Sequence, residues 1–90
     1  MNKWHINLTK SAQKELTKLA PDAQELILDY LCNKILKLPH PKLLGKVLRH
    51  NLKGYWRYQV NKFRIICELH DDKLNILVIK IAKRDVVYDD

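Results

Sequence analysis

The sequence has few of the residues and motifs that mark cofactor sites and membrane spans. It holds two glycines and one serine and contains no GxGxxG or GxxxxGK[ST] segment, so neither a glycine-rich phosphate loop nor a Ser-His-Asp triad is expected. No apolar run approaches the roughly 20 residues of a membrane span. The N-terminus lacks the apolar core of a signal peptide. We therefore expect a cytoplasmic protein.

Metal-ligating residues are also sparse and scattered. Cys32 and Cys67 lack the spacing of a metal site and fall in predicted apolar segments, so we expect two buried free thiols. The four histidines form no metal-like pair and are expected at the surface: His5, His40, His50 and His70. The sequence thus predicts no metal site and no cofactor.

Positive charge is concentrated in the middle of the chain. The net charge is +7 over 90 residues. Residues 41–70 carry seven basic side chains and one acidic side chain, whereas residues 71–90 carry four basic and five acidic ones. Such a field attracts polyanions and speeds their encounter, although a basic balance alone is also compatible with general solubility. A polyanionic partner is the expectation that this distribution favours.

The chain is expected to begin with a strand and a helix. Apolar and polar residues alternate over residues 4–8, which is the period of a short strand. A helix follows, with Thr9 or Ser11 as its cap, an end near Leu19, and an apolar face made of Ala12, Leu16 and Leu19.

A second, longer helix is predicted after Pro21. Asp22 and Glu25 have the spacing of a capping box, and the helical period of apolar residues continues to Leu38, before Pro39. Two consecutive helices after one strand are expected to form a hairpin that covers one face of a sheet.

Residues 39–54 show no clear period, which is typical of a functional loop or of a loop that contains a short element. Apolar side chains are expected to hold this loop on the core: Leu43, Leu44, Val47, Leu48 and Leu52.

Three strands are predicted in the remainder of the chain, over residues 55–60, 63–69 and 74–82. The turns at Asn61-Lys62 and Asp71-Asp72 are short enough to make these strands an antiparallel meander. The sequence therefore predicts one α+β domain over residues 1–90, with the order β-α-α-β-β-β. Its two-helix hairpin would pack on one face of a twisted antiparallel sheet of about four strands.

Strand alternation places three arginines on the open face of this sheet. On the first of the three strands, Trp56, Tyr58 and Val60 are predicted core positions and Arg57 lies in the opposite phase. Arg64 shares a side with Ile66, and Arg84 is in phase with Lys80. Clustered guanidinium groups repel one another unless an anion binds, so a phosphate site is one reading. Exposed arginines that only prevent edge aggregation are the other reading. Glu68, in phase with Arg64, is expected to pair with a neighbouring Lys or Arg.

These segments resemble those of a known toxin superfamily. The stretch LKGYWRYQVNKFRIICEL, residues 52–69, resembles the central segment of the RelE/ParE toxins, and AKRDVVYDD resembles their closing motif of a basic pair, three residues and a tyrosine. LTKSAQKELTKL and LGKVLRHNLKG are similar to the family's first helix and central loop. The resemblance implies a RelE-like fold, in agreement with the predicted element order.

The resemblance also implies an activity. RelE members are toxins of type II toxin–antitoxin systems and cleave messenger RNA in the ribosomal A site without a metal. The RNA 2′-hydroxyl attacks the adjacent phosphorus, leaving a 2′,3′-cyclic phosphate and a 5′-hydroxyl. ParE members share the fold and inhibit DNA gyrase. A gyrase inhibitor and a non-catalytic antitoxin-binding module therefore remain alternatives to an mRNA endonuclease.

Site residues are carried over from the RelE pattern. Arg64 and Arg84 would stabilise the pentacoordinate phosphate, Arg57 would hold the RNA backbone, and Tyr88 or Lys83 would transfer a proton. Gln59 stands where RelE members carry a basic residue. The remaining RNA contacts implied by the pattern come from the following residues: Lys46, Arg49, Lys53, Gln59, Lys62 and Lys80.

The expected partners follow from the same resemblance. They are an acidic antitoxin that folds as it wraps the basic surface, and messenger RNA on the ribosome. No membrane partner is expected, and the free toxin is expected to be a monomer.

Overall fold

The described part of the chain contains two α-helices and a five-stranded sheet. The computed structural model describes residues 4–47 and 54–83. The strands are β1 (His5–Leu8), β2 (Lys46–Val47), β3 (Tyr55–Val60), β4 (Phe63–His70) and β5 (Asn75–Lys83); the helices are α1 (Lys10–Thr17) and α2 (Pro21–Tyr30). The α+β class and the packing of a helix pair on a sheet are confirmed. Among the described residues, no helix is long and apolar enough to cross a membrane.

The sheet is mixed, with the strand order β1-β5-β4-β3-β2. The antiparallel meander β3-β4-β5 is confirmed, but β1 pairs with β5 in parallel, with Ile6 opposite Ile76. The helix pair carries the chain away from β1, and the meander then returns β5 beside it in the same direction. This long-range pairing leaves no local signal in the sequence. The predicted antiparallel sheet of about four strands therefore did not include the parallel β1–β5 pair or the short fifth strand β2.

Helix α1 begins as predicted. The Thr9 hydroxyl accepts a hydrogen bond from the backbone N–H of Ala12 at 3.1 Å, which caps the helix. Ala12 and Leu16 are buried against the sheet. The amphipathic period therefore predicted both this helix and its buried face.

Helix α2 begins differently from the prediction. Its N-cap is Ala20, which makes no side-chain cap, and Pro21 occupies the first turn. Proline fits there because its missing N–H has no intrahelical acceptor at that position. Asp22 lies inside the first turn and accepts from the N–H of Ala23. The predicted capping box with Glu25 was therefore wrong.

The helical path does not continue regularly to Leu38. A π-helical turn spans Leu31–Ile35, with the Leu36 N–H bonded to the Leu31 carbonyl at 3.1 Å. Ile27, Leu31 and Ile35 are all fully buried. In a regular α-helix, side chains four residues apart rotate progressively around the helix axis. The wider π-helical turn offsets this rotation, so the Ile35 side chain still faces the core.

Two short elements lie in the central loop. A 3₁₀ turn spans Pro41–Leu43, and β2 pairs with β3. Three of the predicted apolar anchors do not hold the loop on the core: Leu43 is 67% exposed, and Leu44 and Val47 are also exposed. The other two, Leu48 and Leu52, lie outside the described residues. The buried contact is made by Pro41, whose carbonyl accepts a hydrogen bond from the buried Tyr58 hydroxyl at 2.7 Å.

The core lies between the helices and one sheet face. Tyr58, Phe63, Ile65, Cys67, Ile76, Val78 and Ile81 supply its sheet side. Burial raises the pKa of the Cys67 thiol, which leaves it protonated and unreactive at neutral pH. Cys32 is exposed on the π-helical turn, so the prediction of two buried thiols was right for Cys67 and wrong for Cys32.

Candidate functional site

A β-bulge determines which side chains of β5 reach the open face. Cys67 pairs with Val78 and Ile66 pairs with Lys80, so Ile79 is an extra residue between them. If side chains alternated regularly after Val78, the Lys80 side chain would point into the core. The bulge restores Ile81 to the core and turns Lys80 to the opposite side, as bulges near functional surfaces often do.

Cationic residues lie side by side across this open face. Lys46 is directly opposite Arg57, Arg57 is opposite Ile66, and Ile66 is opposite Lys80. These four residues, three of them cationic, form one row across β2, β3, β4 and β5, which we call the cationic row. The next row contains Gln59, Arg64 and Ala82. The predicted clustering of Arg57 and Arg64 on one face therefore agrees with the register.

The apolar centre of this face is shielded. Ile66 is only 5% exposed although it points away from the helices and outside the main core cluster. Because Arg57 and Lys80 flank it on the neighbouring strands, their aliphatic stems are placed to cover it. The Nε atom of Arg64 is likewise shielded from solvent. The open face therefore has a shielded centre, with Ile66 and part of Arg64 removed from solvent.

Lys80 also contacts α1. Its Nζ atom lies 2.9 Å from Oε2 of Glu15, and Oε1 of the same carboxylate accepts the Ile81 backbone N–H at 2.8 Å. Strand β1 ends at Leu8, opposite Val78, so Glu15 covers the edge of β5 beyond the end of β1. This ion pair reduces the charge that Lys80 offers to an anionic ligand.

Lys62 and Lys83 lie on the helix side of the sheet. Lys83 is opposite the buried Phe63, and the Lys62 Nζ atom lies 5.9 Å from the centre of the Phe63 ring. Both lysines line a cavity of about 460 Å³ next to the start of α2. The structure therefore does not bring either side chain together with Arg57 and Arg64.

Four predicted site residues fall outside the described part of the chain. They are Arg49, Lys53, Arg84 and Tyr88. Within residues 4–47 and 54–83, no group of three or more His, Cys, Asp or Glu residues is arranged to hold a metal ion.

A second polar cluster on the open face was missed by the sequence reasoning. Glu68 lies directly opposite Tyr55 on β3, and its Oε1 atom lies 2.7 Å from His70 Nε2. The facing Glu68 carboxylate raises the pKa of the Tyr55 hydroxyl, through hydrogen bonding first and its charge second. The sequence predicted a Lys or Arg as the partner of Glu68 and did not predict Tyr55 or His70 beside it. The Glu68-x-His70 spacing, which puts both side chains on one strand face, was the available signal.

The chain matches a toxin family over nearly its whole length. The sequence model described as "ParE toxin of type II toxin-antitoxin system, parDE" matches residues 6–88.

Individual toxins and chains of toxin–antitoxin complexes are also similar to this chain. A protein called "Toxin RelE" from Mycobacterium tuberculosis is 26% identical over 94% of this chain and 86% of its own length. The toxin–antitoxin complex RelBE from the same organism contains a chain of similar fold, with a TM-score of 0.83 and 20% identity over 90% of this chain and 91% of that chain. The archaeal RelE–RelB complex from Pyrococcus horikoshii gives a TM-score of 0.71 and 16% identity over 97% of this chain and 100% of that chain.

Proposed function

The chain belongs to the family of ParE toxins of type II toxin–antitoxin systems, within the RelE/ParE superfamily, and from this premise we propose that it is a RelE-like endoribonuclease. The proposed substrate is messenger RNA in the ribosomal A site, and the proposed location is the cytoplasm. The observation that carries the proposal is the cationic row on the open face next to Arg64. A site of this kind suits the phosphates of a single strand.

The arrangement of Lys46 and Arg57 supports an anionic ligand. Like charges directly opposite each other on neighbouring strands destabilise a sheet, and a bound phosphate offsets that repulsion. Arginine also presents paired donors that match phosphate oxygens. The row is therefore suited to hold an RNA backbone beside Arg64.

The proposed reaction is a transesterification. The 2′-oxygen bonds to the adjacent phosphorus and its proton leaves to a base, while the P–O5′ bond breaks and the 5′-oxygen takes up a proton. Arg57 would hold the backbone, and Arg64 and Arg84 would stabilise the charge that develops on the phosphate. Tyr88 is the proposed proton-transfer group. We assign no step to Lys83, because its side chain starts on the helix side.

RNA contacts are proposed on the same basis. Lys46 and Gln59 lie on the open face, as does Lys80, with its charge partly balanced by Glu15. Arg49 and Lys53 complete the proposed basic surface.

The nuclease is tested by inducible expression followed by mapping of RNA 5′ ends. We expect growth arrest and new 5′-hydroxyl ends within codons. Arg64→Ala should reduce cleavage by about 10²-fold, since a well-placed donor to the transition state is typically worth that much. Lys73→Ala is a matched control, because it removes an exposed positive charge in the turn before β5. Equal cleavage by both variants would refute the assigned site.

Gyrase inhibition is the second candidate, and the match to the ParE family model favours it. It predicts growth arrest with a DNA-damage response, intact messenger RNA and inhibition of supercoiling by the purified protein. A non-catalytic antitoxin-binding module predicts no growth arrest. The three functions therefore give different results in one expression experiment.

An antitoxin partner is proposed from the relatives. The similar chains from Mycobacterium tuberculosis and Pyrococcus horikoshii were each solved in a complex with an antitoxin or with RelB. The +7 net charge of this chain favours an acidic antitoxin. Co-expression with the product of an adjacent small acidic reading frame should abolish growth arrest and yield a stable complex, whereas undiminished arrest would argue against that partner.

A further inference from the structure

The Tyr55–Glu68–His70 cluster forms a compact polar site on the open face. Glu68 faces Tyr55 across the β3–β4 pair, and its Oε1 atom lies 2.7 Å from His70 Nε2. The Glu68 and His70 side chains remain 30% and 37% exposed. A ligand on this face can therefore reach the carboxylate and the edge of the imidazole.

The cluster lies one row from the cationic residues. Tyr55 is two residues before Arg57 on β3, and Glu68 is two residues after Ile66 on β4. Two residues along an antiparallel strand span about 6.8 Å. This step is comparable to the separation of successive nucleotides in an extended RNA strand. A strand whose phosphate contacts Arg57 can thus place a neighbouring nucleotide over Glu68.

The chemistry of the cluster favours a base over a phosphate. A carboxylate repels phosphate, so Glu68 excludes the RNA backbone from the row next to the cationic residues. Tyrosine and histidine rings provide surfaces on which unpaired bases stack. An ionised carboxylate has about four acceptor sites, and His70 uses one of them at 2.7 Å. The remaining sites can accept the N–H groups of a base edge.

We propose that Tyr55, Glu68 and His70 form a nucleobase subsite that accepts a base with an exocyclic amino group and disfavours uracil. Adenine, cytosine and guanine each carry an amino group that can donate to Glu68. Uracil instead presents carbonyl oxygens on both sides of its single ring N–H, and these face the carboxylate unfavourably. The proposal rests on the proposed nuclease function, because it concerns the nucleotide next to the phosphate held by Arg57 and Arg64.

The test is the base composition around the mapped cleavage sites in cells that express wild type or Glu68→Gln. In wild type we expect uracil to be depleted about tenfold or more at one fixed position beside the cut, as one well-made base contact discriminates by that order. Glutamine has nearly the shape of glutamate but carries both a donor and an acceptor, so it should accept uracil. The depletion should therefore disappear while cleavage continues. Glu25→Gln, on the exposed surface of α2, is the matched control and should keep it.

Each other result overturns the subsite. Absence of a uracil-depleted position in wild type, or unchanged depletion in Glu68→Gln, refutes it and leaves the nuclease intact. Absence of induced RNA ends in wild type refutes the nuclease and the subsite together. If Glu68→Gln melts well below the control, Tyr55→Phe replaces it, because that change removes only the hydroxyl of the residue opposite the carboxylate. It should weaken the uracil depletion several-fold, and full depletion in this variant would contradict the proposal.

Discussion

Gly45 packs directly against the ring of Tyr58. A Cβ atom at position 45 would lie 2.7 Å from Cε1 and 2.8 Å from Cζ of that ring, which is too close for any side chain. The ring is 1% exposed and therefore has no open direction in which to move. This contact places the central loop against β3 just before Lys46 pairs with Arg57.

Gly45→Ala is expected to destabilise the protein by about 1–3 kcal/mol, the usual cost of overpacking a core contact. The measurement is the free energy of unfolding in denaturant. If the clash with Tyr58 is the cause, the cost should shrink in a Tyr58→Leu background, since coupled neighbours give non-additive effects. Additive costs would contradict this cause. Gly54→Ala is a useful comparison, because its cost would arise from the backbone φ of 87° and not from a clash.

Tyr58→Phe isolates the hydroxyl of the same side chain. It removes the donor to the Pro41 carbonyl at 2.7 Å and leaves a buried acceptor without that hydrogen bond. We expect a loss of about 1–3 kcal/mol in unfolding free energy. The ring itself remains, so the fold and the strand register should persist. A variant as stable as wild type would show that water or a rearranged loop satisfies the carbonyl.

The periodicity of apolar residues predicted which faces of β3 and α1 are buried. Alternation on β3 placed Tyr58 in the core and Arg57 outside, because one sheet face is covered by helices and the other is not. The spacing of Ala12 and Leu16 likewise predicted the buried face of α1. These features depend on residues that are neighbours in sequence.

The features that the sequence did not predict depend on contacts between distant segments. The bulge at Ile79 exists because β5 must bury Val78 and Ile81, which lie an odd number of residues apart. Predicting the cluster around Glu68 would have required the register of β3 against β4, which brings Tyr55 opposite Glu68. Alternation gave the face of Glu68 but not its partners.

Asp71 is expected to make stability sensitive to acid. The hydrogen bond from Lys42 at 2.9 Å lowers the pKa of its carboxyl below the usual 3.8, with a smaller contribution from His40 at 3.4 Å. Because the folded pKa is lowered, the stabilisation is present above the unfolded pKa. It is lost as the pH falls through about 4 towards the folded pKa.

Asp71→Asn should therefore lower stability slightly at pH 7 and leave stability below the folded pKa almost unchanged. The carboxylate is about half exposed, so solvent screening limits the effect to below about 1 kcal/mol. The measurement is the melting temperature from pH 7 to pH 3 for wild type and Asp71→Asn. Asp72→Asn, at the neighbouring exposed position, is the control. Parallel pH profiles for wild type and Asp71→Asn would contradict the assignment.

The carboxylate of Glu15 performs two tasks at the edge of β5, and two substitutions separate them. Glu15→Ala removes both the ion pair with Lys80 and the acceptor for the Ile81 N–H. We expect it to cost about 1–3 kcal/mol, chiefly because a partly buried backbone donor loses its partner. Glu15→Gln retains an oxygen for that N–H and loses only the ion pair, which should cost less than about 1 kcal/mol at a partly exposed site.

Amide hydrogen exchange provides the second measurement: the Ile81 N–H should exchange faster in Glu15→Ala and nearly as in wild type in Glu15→Gln. Lys80→Met is the matched control, since it removes the ion pair from the other side. If Glu15→Gln and Lys80→Met both destabilised the protein as much as Glu15→Ala, the ion pair and not the backbone acceptor would be the main contribution of Glu15.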